Sequence, residues 1–150
     1  MHTASLRTEP ATPADFARLL ALRLDAMRPS LEALGRFNIE RSTTRFKQSF
    51  CPANTRLLFE LHLLVGFSAL THHSDHLHLN HLYIAPAAQG RGLGAWLLDR
   101  TLREAGTAIL PVRLIALRAS PANAFYLRHG FRVSHEDEWD IHYERGLCST

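Results

Sequence analysis

The sequence predicts a mixed α/β (α+β) fold, a mostly antiparallel sheet of about seven strands with helices on both faces. Short β-rich runs alternate with helical patterns along the 150 residues, which is typical of a sheet covered by helices. One run, residues 76–84, leads through a proline and three evenly spaced glycines directly into a helical pattern. The elements follow in the order β-α-α-β-β-β-α-β-α-β-β, and a chain of this length is expected to form one domain over residues 1–150.

The first third of the chain predicts one strand and two helices. Residues 5–7 form a short first strand, and the Thr-Pro-Ala-Asp run at 12–15 favours a helix start. Pro29 is expected to end this helix, since proline inside a helix removes a hydrogen bond and clashes with the preceding turn. A second helical stretch follows over residues 30–50, with Gly35 expected to interrupt it. The apolar residues at helical spacing are Phe16, Leu19, Leu20, Leu22, Leu24, Met27, Leu31, Leu34, Phe37, Phe46 and Phe50.

The remainder predicts six strands and two helices. A turn at residues 51–54 precedes a hairpin of strands 56–60 and 64–71, although the connecting Leu-His-Leu lacks the glycine or asparagine that tight turns favour. The later predicted elements are a central strand (76–84), a helix (91–105), a strand (112–117), a helix (122–129), and an antiparallel pair (131–133 and 139–143).

Composition excludes several classes of function. The charge of +3 and the pI near 9.3 suit an anionic ligand. Arginine is scattered and not interleaved with aromatic residues, so we expect no nucleic-acid partner. No apolar run approaches the ~20 residues of a membrane span, and no secretory leader is expected. Cys51 and Cys148 are isolated and show no metal-ligand spacing, which predicts a reduced, cytoplasmic setting.

The glycine-rich segment after the central strand predicts a phosphate site. Gly90, Gly92 and Gly94 leave backbone N–H groups uncovered just before a helix, where the helix dipole favours an anion. Arg91 adds a guanidinium that can pair with phosphate oxygens. The spacing is not Gly-x-Gly-x-x-Gly, and no Gly-Lys-Ser/Thr follows, so a dinucleotide fingerprint and a Walker-type loop are both excluded.

A second motif lies about 30 residues further on, at residues 120–131. Ser120 is a good N-cap, and the proline that follows it suits the first helical turn. Gly130 fits the left-handed residue that ends a helix. Asn123 and Tyr126 lie three residues apart and therefore share one face of the predicted helix.

Together the two motifs resemble the GNAT-type N-acetyltransferase family. Residues 89–94, Gln-Gly-Arg-Gly-Leu-Gly, resemble its Gln/Arg-x-x-Gly-x-Gly/Ala signature, and residues 120–131 resemble its Asn-Pro-Ala-x-x-Phe-Tyr-x-x-x-Gly-Phe block. The motifs cover roughly residues 55–146. The resemblance implies that the glycine loop holds the pyrophosphate of acetyl-CoA, and that an amine attacks the thioester directly in a ternary complex. This sequence departs from the family at Ser120, where many relatives carry asparagine, and at Leu127, where glutamate is frequent.

The resemblance also implies individual roles. Tyr126 would protonate the departing thiolate as general acid. Many relatives hold a carboxylate base on the central strand, but here that place falls on His81 or Asn80, and a strand bulge would decide which faces the pocket. A His81 base predicts an acidic limb near pH 6–7 in kcat/KM. The implied cofactor-binding residues are Leu82, Tyr83, Ile84, Gln89, Gly90, Arg91, Gly92, Leu93, Gly94, Ala95, Ser120, Asn123 and Tyr126, with either Ser120 or Asn123 contacting pantetheine.

A histidine cluster raises the question of a metal. Five of the ten histidines lie between residues 72 and 81. No cysteine or glutamate completes a known ligand spacing, so we interpret the cluster as solvated hairpin positions and expect no metal. His81 is set apart because it lies next to the implied cofactor site.

The predicted function is acetyl transfer from acetyl-CoA to a small primary amine, such as an amino acid or another metabolite. The resemblance implies that the acceptor lies between residues 27–37 and the C-terminal hairpin near Trp139 and Tyr143. Two other functions stay open, a protein or peptide N-acetyltransferase and a catalytically silent CoA-binding sensor. An RNA-associated acetylator would need a coherent basic face, which the sequence does not show. No membrane partner is expected, and a homodimer stays open.

Overall fold

The computed structural model describes residues 5–106 and 110–146, and Cys148 lies outside them. One sheet contains seven strands. The strands are β1 (Leu6–Pro10), β2 (Thr55–Glu60), β3 (Leu63–His72), β4 (Leu77–Ile84), β5 (Val112–Leu117), β6 (Arg132–Glu136) and β7 (Asp140–Arg145). The helices are α1 (Phe16–Ala33), α2 (Ile39–Ser49), α3 (Leu93–Glu104) and α4 (Ala122–Arg128). The order of elements confirms the sequence prediction.

The sheet has the strand order β1-β2-β3-β4-β5-β7-β6. Every neighbouring pair is antiparallel except β4 and β5, which are parallel. Parallel neighbours need a crossover connection, and α3 provides it. The mixed, mostly antiparallel sheet predicted from the sequence is therefore confirmed.

Helices cover both faces of the sheet, as predicted. On one face, α1 and α2 pack on β2 and β3 through a cluster that includes Leu19, Phe46 and Phe67. On the other face, α3 packs on β3, β4 and β5 through Leu98 and Leu102. These leucines lie on the apolar face of α3. Strand side chains alternate between the two faces of the sheet, so each face presents apolar residues to the helices that cover it.

The parallel strands β4 and β5 separate soon after they begin. Only two pairs join them, Leu77 with Val112 and His78 with Arg113. Beyond these pairs the antiparallel ladder of β4 with β3 continues to Ile84. The two strands therefore diverge in the middle of the sheet, and the backbone of β4 facing β5 is left without a strand partner.

A bulge in β4 determines which side chains face which core. Ala69 pairs with His81, but the next residue on β3, Leu70, pairs with Leu79, so Asn80 is the extra residue. Without the bulge, Leu79 and His81 would point to the same face. Instead Leu79 lies in the core under α3, whereas the His81 ring packs against Phe46 of α2. The bulge therefore buries His81 and leaves Asn80 exposed, and both residues line the cavity beside β4, so the choice between them stays open.

Pro29 does not end the first helix, and this prediction was wrong. Helix α1 continues through Pro29 to Ala33 and buries Leu19, Leu22 and Ser30. A proline at this position removes the hydrogen bond that the Asp25 carbonyl would otherwise accept. Asp25 and Pro29 both line a large cavity beside β4, which is described below. Solvent in this cavity can therefore donate to the Asp25 carbonyl in place of the missing N–H. Packing on the core holds the last turn of the helix.

The second helix starts later than predicted. Helix α2 begins at Ile39, and the side chain of Asn38 caps it by accepting a hydrogen bond of 2.8 Å from the Arg41 N–H. Gly35, with a φ of 67°, interrupts the helical run as predicted. The hairpin between β2 and β3 turns at Leu61, which adopts a φ of 56°. Glycine or asparagine usually occupies this left-handed conformation in a tight turn. Because leucine occupies it here, the sequence shows no turn signal at this position.

No helix among residues 5–106 and 110–146 combines the length and the apolar character needed to cross a bilayer.

Candidate functional site

A cavity of about 590 Å³ opens where β4 and β5 separate. Its walls come from the end of β4, the glycine loop and start of α3, the second half of β5, the start of α4, and one side of α1. The divergence of the strands therefore creates the site. Twelve of the sequence-predicted residues line it, namely His81, Leu82, Tyr83, Ile84, Gln89, Gly90, Gly92, Leu93, Gly94, Ala95, Ser120 and Tyr126.

The edge of β4 offers backbone groups to this cavity. The Ala85 N–H donates to the Val65 carbonyl on β3 at 2.8 Å. Backbone direction alternates along a strand, so the N–H groups of Leu82 and Ile84 point the opposite way, towards the gap left by β5. An extended amide-containing ligand can pair with this edge as an additional strand would.

The glycine loop has the backbone conformation that its sequence predicts. Gly90 and Gly92 have φ values of 80° and 81°, in the left-handed region where other residues are strained. Gly94 is helical, but a Cβ there would lie 3.4 Å from the Phe125 ring of α4. The Gln89 side chain braces the loop by donating to the Ile84 carbonyl at 2.9 Å. Two glycines thus permit the turn, and the third permits close packing.

Helix α3 directs its N-terminus into the same loop. Gly92 is its N-cap, and the first intrahelical bond to this cap comes from the Trp96 N–H at 3.1 Å. The N–H groups of the preceding first-turn residues have no intrahelical acceptor. Together with the helix dipole, they make this end of the cavity favourable for an anion.

Arg91 points away from the cavity. Its guanidinium pairs with both carboxylate oxygens of Glu60, at 3.0 and 2.5 Å. This pairing lowers the pKa of Glu60 and raises the pKa of Arg91. The phosphate role expected for Arg91 therefore requires the side chain to leave Glu60, and it stays a prediction.

Ser120 and Asn123 have different positions. Ser120 lines the cavity, and its Oγ accepts from the Ala122 N–H at 3.0 Å, but the N-cap position of α4 is Pro121, one residue later than predicted. Asn123 is not among the lining residues. Its amide donates to the carbonyls of Leu117 and Ser120 at 3.0 and 2.8 Å, and its Oδ1 accepts from Tyr143 at 2.6 Å. Of the two alternatives for pantetheine, the geometry favours Ser120.

Tyr126 lies at the inner wall of the cavity. The side chain is buried, and its ring packs against Phe125 and Phe131. Burial raises the pKa of its hydroxyl, with smaller effects from Tyr83 and Tyr143. The hydroxyl makes no hydrogen bond within residues 5–106 and 110–146, so it remains protonated and available to a ligand atom.

His81 is buried between aromatic rings at the opposite wall. Its ring lies 5.2 Å from the Phe46 ring and 5.9 Å from the Phe67 ring. Burial lowers the pKa of His81 to about 3, and Arg23 and His78 add to this effect. The imidazole is therefore neutral at working pH, and the acidic limb near pH 6–7 expected from the sequence does not follow from this residue.

Side chains from α1 complete the end of the cavity near His81. Met27 and Ser30 line it beside Tyr83, whose hydroxyl lies 3.4 Å from the Met27 sulfur. The sequence indicated the region around Met27 only through the family resemblance. No local motif marks these residues, because their role depends on how α1 packs across β4.

The C-terminal hairpin contributes less than expected. Tyr143 is buried, its hydroxyl donates to Asn123, and it is not among the residues that line the cavity, so an acceptor position beside this hairpin stays a prediction. Tyr143 faces the core because β7 is an inner strand between β5 and β6. Trp139 has a contact with the other predicted region, since the Arg36 guanidinium lies 4.3 Å above its ring.

The histidine cluster contains one stacked pair, with His72 and His73 exposed and His81 buried. The rings of His73 and His76 stack at 4.5 Å, and His76 bonds to Asp75 at 2.7 Å. Across the described ranges 5–106 and 110–146, no three His, Cys, Asp or Glu side chains are arranged to hold a metal ion. The absence of a metal stays a prediction.

The family comparison identifies the domain. A model of the acetyltransferase (GNAT) domain matches residues 56–133, which is more than half of the chain. A comparison with curated proteins finds no match.

Solved structures share the fold over almost the whole chain. An acetyltransferase from Thermus thermophilus is 27% identical with a TM-score of 0.71, covering 98% of this chain and 100% of that one. The PaiA N-acetyltransferase from Thermoplasma acidophilum, in complex with coenzyme A, is 19% identical with a TM-score of 0.75, covering 95% and 99%. A GCN5-related N-acetyltransferase from Rhodopseudomonas palustris is 19% identical with a TM-score of 0.77, covering 98% and 99%.

Proposed function

The chain belongs to the GNAT acetyltransferase family, and we propose that it transfers the acetyl group of acetyl-CoA to the primary amine of a small molecule. The amine attacks the thioester directly while both substrates are bound. The family assignment supports the class of reaction, acetyl transfer. The choice of a small acceptor and the roles of individual residues rest on the geometry of the cavity.

The observation that carries this proposal is the continuity of the β4 edge with the glycine loop. Leu82 and Ile84 offer N–H groups beside the gap, and Gly90, Gly92 and the start of α3 offer further N–H groups at one end of it. An extended pantetheine arm fits the first set, and a pyrophosphate fits the second. One of the N–H groups on β4 would also polarise the thioester carbonyl.

Tyr126 acts on the leaving group. Its raised pKa keeps the hydroxyl protonated, so it can donate a hydrogen bond to the departing sulfur. A thiol with a reference pKa of about 8.5 is the stronger acid of the two, so this hydrogen bond is the larger part of the effect. The sulfur therefore leaves as a thiolate that the Tyr126 hydroxyl stabilises by this hydrogen bond, and it takes up a proton from solvent on release.

The acceptor enters beside α1. Met27, Ser30 and Tyr83 line this end of the cavity. Side chains packed this closely around the end favour a metabolite-sized amine over an extended peptide. His81 lies at this end as a neutral imidazole, and its role as acceptor of the amine proton stays a prediction.

Two measurements test the proposal. Titration calorimetry should show CoA binding, and free thiol should appear when acetyl-CoA is mixed with a panel of amino acids, aliphatic primary amines and short peptides. We expect transfer to a small amine and weaker transfer to peptides. Tight CoA binding with no thiol release from any amine would favour the sensor function, and preferred transfer to peptides would favour the peptide acetyltransferase.

A further inference from the structure

One side of α1 forms the wall at the acceptor end of the cavity. Asp25, Ala26, Pro29 and Ser30 all line the cavity, and their spacing places them on the same side of the helix. Asp25 and Ser30 carry polar side chains, and Pro29 changes the hydrogen bonding of the helix between them. We call these four residues the α1 wall.

Pro29 leaves a backbone carbonyl of the α1 wall without its helical donor. In a regular helix the carbonyl of residue 25 accepts from the N–H of residue 29, and proline has no N–H. Asp25 and Pro29 both line the cavity, so the carbonyl between them is open to a ligand. A carbonyl oxygen only accepts hydrogen bonds, and the ligand group that fits it is therefore a donor.

Ser30 adds a second group that has no partner in the protein. The residue is 7% exposed, and its hydroxyl makes no hydrogen bond within residues 5–106 and 110–146. Serine in a helix often bonds to the carbonyl four residues earlier, which here belongs to Ala26. Because Ser30 does not, a buried hydroxyl lines the cavity and is free to accept from a ligand. A buried polar group of this kind gains from a ligand that satisfies it.

The charged residues of the lining are separated between the two ends of the cavity. Among the described residues, Asp25 is the single acidic residue of the lining, and its carboxylate has no ion pair there. Arg128 is the single Lys or Arg of the lining, and it lies one helical turn after Phe125, whose ring packs beside Gly94 of the glycine loop. The lining is therefore basic on the side of the expected phosphates and acidic where the acceptor enters.

The basic residues of α1 and β4 near this sequence position lie outside the α1 wall or are uncharged. Arg23 donates to a backbone carbonyl of α2 at 3.3 Å, and Arg28 pairs with Glu32 at 2.9 Å. Neither arginine lines the cavity. The Nε2 of His81 lies 3.1 Å from the Ser49 Oγ of α2, and burial keeps the His81 ring neutral by lowering its pKa.

The α1 wall suits a cation that stays charged during the reaction. A carbonyl, a hydroxyl and a carboxylate all stabilise the protonated form of an amine, and such hydrogen bonds raise its pKa. The attacking nitrogen has to lose its proton, so binding at this wall would oppose its reaction. A second ammonium group has no such requirement, and it brings three N–H donors for the three acceptors.

We propose that the α1 wall binds a second ammonium group of the acceptor, which makes diamines the preferred class of substrate. The inference rests on the proposed function and specifies its substrate. The far ammonium group binds the Asp25 carbonyl and the Ser30 hydroxyl, and the Asp25 carboxylate supplies the opposite charge. The other amine reaches the thioester beside β4. An amine whose far end is a carboxylate is disfavoured, because it would face Asp25.

The test uses sets of linear amines of equal length that differ only at the far end. One set is putrescine, pentylamine and γ-aminobutyrate, whose far ends are an ammonium, a methyl and a carboxylate group, and longer sets follow the same design. Release of free thiol from acetyl-CoA gives kcat/KM for each amine. We expect the diamine of the best length to exceed its monoamine about tenfold, and the amino acid to be the poorest of the three.

Three substitutions assign this preference to the α1 wall. Pro29→Ala supplies the missing N–H, so it should raise Tm and yet lower kcat/KM for the diamine about tenfold. Ser30→Ala should lower this kcat/KM by a similar factor without raising Tm. Asp25→Asn should lower it about fivefold, and less at high salt. The monoamine should change little in all three, and the control Glu40→Gln, which removes an exposed charge outside the cavity, should affect neither amine.

The outcomes separate this inference from the proposed function. A wild-type enzyme that acetylates monoamines or amino acids as well as diamines of every length would overturn the diamine subsite alone. Losses in the three variants that are equal for diamine and monoamine would do the same. A protein that binds CoA but acetylates no small amine, or that prefers peptides, would overturn the proposed function and the subsite together.

Discussion

The two ends of the cavity differ in the groups that form them, backbone N–H groups at one end and side chains at the other. The donor end consists mainly of backbone, with N–H groups on β4 and at the glycine loop held by the sheet and by α3. The acceptor end consists of side chains from α1 and from the face of β4 that α1 and α2 cover, with Met27, Tyr83 and His81 as examples. Backbone sites require particular conformations, which glycine supplies, and therefore leave a local sequence motif. Side-chain sites depend on tertiary packing and leave none.

This difference predicts that substitutions at the donor end act mainly on cofactor binding, and those at the acceptor end act on turnover. Tyr126 lies between the two ends and should affect the chemical step alone. Where the chain offers one, a residue in a similar environment outside the site serves as the control for each substitution.

The largest effect is expected for Gly92→Val. A side chain would strain the left-handed turn and occupy the space in which the pyrophosphate is expected, so CoA affinity should fall by about 10²-fold or more. Gly106→Val is the matched control, because Gly106 has a similar φ of 65° and a Cβ added there would meet no atom within 4 Å. Both variants should melt at lower temperature, but only Gly92→Val should lose CoA in calorimetry. Unchanged affinity in folded Gly92→Val would contradict the donor site.

Removal of the Tyr126 hydroxyl should affect catalysis without affecting binding. Tyr126→Phe is expected to lower kcat by about 10²-fold while CoA affinity changes little, since the hydrogen bond to sulfur forms only as the bond breaks. Tyr143→Phe removes a neighbouring buried hydroxyl that bonds to Asn123. That control should lose about 1 kcal/mol of unfolding free energy and keep most of its kcat. A Tyr126→Phe enzyme with wild-type kcat would assign Tyr126 to packing.

Acid should destabilise the protein through His81. The pKa is about 3 when folded and about 6.5 when unfolded, so between these values only the unfolded chain binds the proton. Stability due to this group is full above pH 6.5 and falls as the pH decreases. From pH 7.5 to 5.0 the loss should be about 2 kcal/mol, measured by urea unfolding. His81→Gln should lose correspondingly less over the same range, and equal losses in the two proteins would refute the burial argument.

The smallest effect is expected at the ion pair beside the glycine loop. Glu60→Gln releases Arg91 from a solvent-exposed ion pair that contributes little to stability, so CoA affinity should rise by about two- to fivefold if Arg91 then reaches a phosphate. Salt should weaken the gain. Arg91→Ala should remove the gain in the double variant. If Glu60→Gln, Arg91→Ala, the double variant and the wild type all bind CoA with the same affinity, Arg91 does not belong to the cofactor site.

The sequence was most informative where the physics is local. The strand, glycine turn and helix around Gly92 were predicted with small errors in their bounds, and the start of α4 was predicted one residue too early, with Pro121 as the N-cap in place of Ser120. Each depends on the conformation of a few adjacent residues. The order of the elements followed from hydrophobic periodicity alone, which explains why the fold class was confirmed.

Other features depended on contacts between distant segments. Helix α1 passes Pro29 because packing on the core outweighs the loss of one hydrogen bond, and a local signal cannot show that. The direction of His81 depends on a bulge against β3, and its partner Ser49 lies 32 residues away. Asn123 lies three residues before Tyr126 in α4, as predicted, but its amide is bonded to the Leu117 carbonyl and to the Tyr143 hydroxyl and does not line the cavity.

The open edge of β4 has a consequence for amide hydrogen exchange. Leu82 and Ile84 lie in the middle of a seven-stranded sheet, yet their N–H groups face the gap and should exchange with deuterium much faster than that of Ala85, which bonds to Val65. Protection should therefore alternate residue by residue along the strand in the free protein. A bound pantetheine arm would erase the alternation, so deuterium uptake at two amides would report occupancy of the cofactor site without any turnover.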